Sequence, residues 1–150
     1  MKTNGDHLVK RIPILLFGSL IPLLCTQAHA QVVVIANPNV AAASVSRTEL
    51  RDVFTGASSS LSGGAQVTPV LLKQGAAHDE FLSIYIGKSG SAFRAGWRSI
   101  LFSGQGIMPK SLDSDAAVVE YVAHTPGAIG YIGKTSSHDG VKILVVRRAS

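Results

Sequence analysis

The chain has 150 residues, a formal charge of +5 and one cysteine, Cys25. A lone thiol excludes an intrachain disulfide, and basic residues dispersed without interleaved aromatics argue against a nucleic-acid-binding stripe. At 46% hydrophobic residues the chain can bury the core of one ordinary domain.

Residues 1–30 read as an export leader. Lys2, Lys10 and Arg11 give a positive start, Ile12 to Cys25 is an apolar run, and Ala28-His29-Ala30 offers a small-x-small cleavage pattern. The run is short for a bilayer span. The expected product is a domain over residues 31–150 that works in the periplasm. Its formal charge is +3, because the leader takes with it Lys2, Lys10, Arg11 and one acid, Asp6. Leu23-Leu24 before Cys25 do not fit a lipid-attachment box.

Gln31 to Ala36 is a β-branched run (Val32, Val33, Val34, Ile35) without polar alternation, the pattern of a strand covered on both faces. Asn37-Pro38-Asn39 ends it. Ser46 and Glu49 make a capping box for a helix with Leu50, Val53 and Phe54 on one stripe, and Gly56 supplies its stop. Ser58 to Gly64 is a loop, and Val67 to Leu72 is a second buried strand. Lys73 to His78 is the turn into a helix over 79–86, closed by Gly87. Ser89 or Ser91 caps the next helix, whose stripe is Phe93, Trp97, Ile100 and Leu101; Arg94 and Arg98 lie one turn apart on its solvated face. Ser103 to Pro109 is a glycine-rich turn or partner-facing loop. Asp113 or Ser114 caps a further helix that Pro126-Gly127 ends. Ala128 to Ile132 and Val141 to Val146 are strands. The alternation predicts an α/β domain.

Three segments in this order resemble a known family. Ser46-Arg47-Thr48-Glu49-Leu50-Arg51-Asp52-Val53-Phe54-Thr55-Gly56 resembles the helix, and Thr125-Pro126-Gly127-Ala128-Ile129-Gly130-Tyr131-Ile132 the strand entry, of phosphate-type substrate-binding proteins of ABC transporters. Trp97 to Pro109 is similar to their short relatives. The resemblance implies one lobe of a type II periplasmic-binding-protein-like fold, a mixed sheet flanked by helices, binding phosphate or a similar oxyanion without catalysis. A membrane permease or another envelope protein is the implied partner, and a second copy of the chain could rebuild a two-lobed cleft. Members of the family hold the anion on an arginine and an Asp-Gly-Ser-Gly-Thr loop. The corresponding stretch here is Leu72-Lys73-Gln74-Gly75-Ala76-Ala77-His78, which keeps the glycine, offers Lys73 for the arginine, and has no hydroxyl.

Lys73, Gln74, Gly75 and His78 are accordingly the candidate anion site, since a turn feeding a helix presents backbone amides to an anion. Asn37 is expected beside them, because ligands gather outside the carboxyl ends of strands in open α/β sheets. No cofactor is implied, and His78, His124 and His138 lack the local spacing of a metal site. No nucleophile elbow occurs, and Asp79-Glu80 diverge on a helix, so nothing points to an enzyme. The competing reading is an envelope interaction module that keeps the fold and has lost its ligand.

Overall fold

The β-branched run forms β1, Val32–Ala36, with four of its five residues buried. The computed structural model describes residues 31–148, so the expected leader lies outside the described residues. A three-residue strand, β2 (Ser44–Ser46), leads into α1 (Arg47–Phe54). Both halves of the capping box form: the Glu49 amide donates to Ser46 Oγ at 3.1 Å, and the Ser46 amide donates to Glu49 Oε2 at 2.8 Å. Contact with Ser62 first, and these capping bonds after it, hold the Glu49 carboxyl well below the usual range, at about 2.

Next come β3 (Thr68–Leu72) and α2 (Ala76–Phe81), the latter continuing into a π-helical turn over Leu82–Ile86 that Gly87 closes. This helix starts three residues before the expected position. The π-turn widens its buried face, so Phe81, Leu82 and Ile86 all point inward. The long helix α3 (Gly90–Phe102) is capped by Ser89 and buries Phe93 and Trp97; Leu101, expected on that stripe, is 42% exposed. After a loop come β4 (Lys110–Leu112), α4 (Asp115–His124) capped by Ser114, β5 (Ala128–Gly133) and β6 (Lys142–Arg147). The strands β2 and β4 have no counterpart in the sequence reading, because three residues at a sheet edge carry no legible period.

The six strands form one mixed sheet in the order β2-β6-β1-β5-β3-β4. The first strand lies between the last two and is antiparallel to both, with Val34 opposite Tyr131 on one side and Leu144 on the other. The pairs β5–β3, β3–β4 and β2–β6 are parallel. Alternation along β5 divides the core. Gly130 faces α4, where a Cβ would stand 3.0 Å from Val118 Cγ1, and Tyr131 faces the aromatic rings of α1 and α2. The sheet is thus covered on both faces at β1, β3 and β5, as their unbroken apolar runs require, whereas β6 leaves Ile143 and Val145 exposed on one face. Among the described residues no helix is long and apolar enough to cross a membrane.

Candidate functional site

Because β3, β4 and β5 run parallel, the turns that follow them emerge at one end of the sheet. The Lys73 amide donates to Leu112 O at 2.9 Å, which ties the end of β3 to the end of β4. This places the Lys73 ammonium 2.8 Å from Asp113 Oδ1. Both side chains are more than half exposed, so the pair is solvent-screened and contributes at most about 1 kcal/mol. Gly75 stands at φ 109°, ψ 171° and opens α2 without any side-chain cap; its carbonyl accepts from the Asp79 amide at 3.0 Å. Gln74 is exposed beside it.

Beneath the turn lies a polar bridge inside the core. His78 Nδ1 and Tyr131 Oη are 2.6 Å apart, and the Leu72 amide donates to the same phenol oxygen at 3.2 Å. The phenol is fully buried, and His78 Nδ1 is the acceptor within reach of its hydroxyl proton; donation to Nδ1 satisfies both groups and assigns the imidazole proton to Nε2. Burial lowers the His78 pKa from 6.5; Asp79 opposes this and Arg94 adds to it. Burial raises the Tyr131 phenol, against the pull of the Leu72 amide. Both groups are therefore neutral at neutral pH. The Tyr131 ring stacks on Phe81 at 3.8 Å between centroids, and Phe54 meets both rings edge-on.

The structure brings Lys73, Gln74, Gly75 and His78 together and sets Asn37 apart. The Asn37 amide donates to Ala128 O, at the beginning of β5, whereas Lys73 follows the end of β3. The two positions are at opposite ends of the sheet, because β1 runs antiparallel to β5. The expected neighbourhood of Asn37 is corrected on that ground. Its side chain is spent on structure: Nδ2 donates to Val122 O at 2.8 Å and Ala123 O at 3.1 Å, and Oδ1 accepts from the Asn39 amide at 3.0 Å. It closes the carbonyl end of α4.

Sequence reasoning did not find Asp113 as the partner of Lys73, nor Tyr131 as the partner of His78, which is 53 residues away. The order of strands is what joins them. Chemically, the turn offers the uncapped start of α2 and one ammonium to an anion, with Asp113 competing for the ammonium. Two clefts lie elsewhere. One, of about 610 Å³, runs between the start of β3, Trp97 and the 105–110 loop. The other, of about 490 Å³, lies between Asp79, Ser83 and the Lys88-Ser89-Gly90 entry to α3.

Among solved structures the chain is similar to a protein from Clostridium perfringens described as a phosphate ABC transporter substrate-binding protein, solved with bound phosphate. The TM-score is 0.60 at 20% identity, over 77% of this chain and 44% of that one. PstS from Borrelia burgdorferi matches with a TM-score of 0.58 at 18% identity, over 78% and 47% of the two chains. An ABC-type phosphate transport receptor from Vibrio cholerae matches with a TM-score of 0.51 at 15% identity, over 80% and 47%. The chain shares the fold of just under half of each of these structures. The mixed sheet and flanking helices expected from the resemblance are present, and the chain spans less than half the length of these structures. No protein-family model and no curated protein matches the sequence.

Proposed function

We propose that this chain is an exported binding protein for a small oxyanion, phosphate or a close relative, which works beside an ABC permease and catalyses no reaction. The observation that carries the reading is the likeness in fold to structures described as phosphate-binding transport proteins. The anion would sit at the Lys73–Gly75 turn, held by amides at the start of α2 and by the Lys73 ammonium. His78, neutral and engaged with Tyr131, supports the turn from below and brings no positive charge. The domain would begin after Ala30 and act in the periplasm.

Two observations favour the second reading, an envelope interaction module without a ligand. Lys73 already pairs with Asp113, and residues 73–78 contain no hydroxyl. Isothermal titration of the exported protein with phosphate, sulfate and chloride separates the two. Saturable phosphate heat that Lys73→Ala weakens about two- to fivefold, the effect of one exposed charge, supports anion binding. No heat from any anion at millimolar concentration rejects it in favour of the interaction module.

A further inference from the structure

The end of α3 and the loop after it carry an apolar tip that the anion-binding reading leaves unused. Phe102 is 89% exposed and Ile107 is 90% exposed, with Leu101 and Met108 partly exposed beside them. Between them Gly106 packs against Ile100 of α3, while the Phe102 and Ile107 side chains on either side stay exposed. Along the segment that carries the tip the charge has one sign. From Phe81 to Leu112 the sequence has no Asp or Glu and has four cations: Lys88, Arg94, Arg98 and Lys110. Among the described residues none of the four makes an ion pair. Arg94, Arg98 and Phe102 follow one another at i, i+4, i+8, so two guanidinium groups and the phenyl ring share the solvent face of α3. Lys110 lies three residues beyond Ile107, its ammonium 4.8 Å above the Tyr121 ring.

We propose that this tip docks the domain on an anionic phospholipid surface. Phe102 and Ile107 enter the boundary between headgroups and acyl chains, and Arg94, Arg98 and Lys110 lie against lipid phosphates. A basic and apolar face of this kind gains from both buried area and attraction to anionic lipid. Shape selects lipid over a protein partner. The two most exposed apolar side chains protrude, and a fluid headgroup layer closes around a protrusion without needing a matching pocket.

The full chain is expressed for export, and the recovered protein is sedimented with vesicles of phosphatidylcholine alone or with phosphatidylglycerol added. Whatever leader state is recovered is common to wild type and variants, so differences between them report on the tip. The expected result is binding to the anionic vesicles that weakens with salt, falls roughly tenfold or more in Phe102→Ser/Ile107→Ser, and also falls in Arg98→Glu. All three positions are exposed, so melting curves stay unchanged. Equal sedimentation of wild type and both variants overturns the proposal, as does equal binding to neutral and anionic vesicles. Concentration-dependent self-association lost in the double variant, without vesicle binding, also overturns it and assigns the tip to a second copy of the chain.

Discussion

Tyr131→Phe isolates a single oxygen at the centre of the fold. The ring is fully buried, and its stacking on Phe81 and edge contact with Phe54 survive the change, so no cavity opens. What disappears is the oxygen that receives the Leu72 amide and holds His78 Nδ1. The paired register of β3 with β5 runs only to Pro69 and Ile129. Farther along, the phenol stands in for the missing ladder bond. Leu72 and His78 are 4% and 7% exposed, so both orphaned groups stay largely out of reach of water. Each unmade buried bond costs about 1–3 kcal/mol, which gives a loss of about 3 kcal/mol for the pair. For a domain of this length that lowers Tm by roughly 10 °C. Urea unfolding followed by Trp97 fluorescence and far-UV circular dichroism measures the loss. Nitrogen chemical shifts of His78 report whether its proton leaves Nε2 in the variant. A loss under about 0.5 kcal/mol with an unchanged tautomer would falsify the bridge as the link between β3 and α2.

The same imidazole sets a pH dependence. Its folded pKa lies below 6.5, so the unfolded chain takes up a proton that the folded chain refuses. Stability therefore declines as pH falls below about 6.5; melting curves recorded from roughly pH 8 to pH 5 should show this, and His78→Gln should flatten the slope. A slope identical in wild type and His78→Gln removes the argument. At the end of α1, Gly56 stands at φ +80°, and a Cβ there would meet Ile100 Cδ1 and Trp97 Cη2, each at 2.9 Å. Gly56→Ala should cost about 1–3 kcal/mol and shift Trp97 emission, since the indole is held there by its bond to Phe54 O at 3.0 Å. Unchanged melting and emission would show that α3 yields freely.

Legibility followed the range of the forces involved. The Ser46–Glu49 capping box and the Phe93–Trp97 stripe were readable because their partners lie within two turns of helix. The β-branched runs at 31–36 and 141–146 announce strands on composition alone. Direction and order were not readable, and the misplacement of Asn37 came from there: its residue type fits either end of a sheet, and only pairing with β5 decides which. The candidate turn was recognisable as a helix entry, yet its electrostatics depend on Asp113, supplied by a neighbouring strand, and on Tyr131 beneath. Leu101 kept the spacing of the α3 stripe but lies in the last turn, beyond the surface that the helix covers.

The position of β1 between β5 and β6 fixes an order of events. Among the described strands β1 comes first in the sequence, yet it meets its two neighbours only after residues 128–133 and 142–147 exist, so the centre of the sheet closes through contacts of long sequence separation. Until then β1 offers both its edges, and the local helices have no finished sheet to pack on. A sheet wired this way has no closed centre until both distant strands are available, so its middle strand is the last to be enclosed although it is read before the other five.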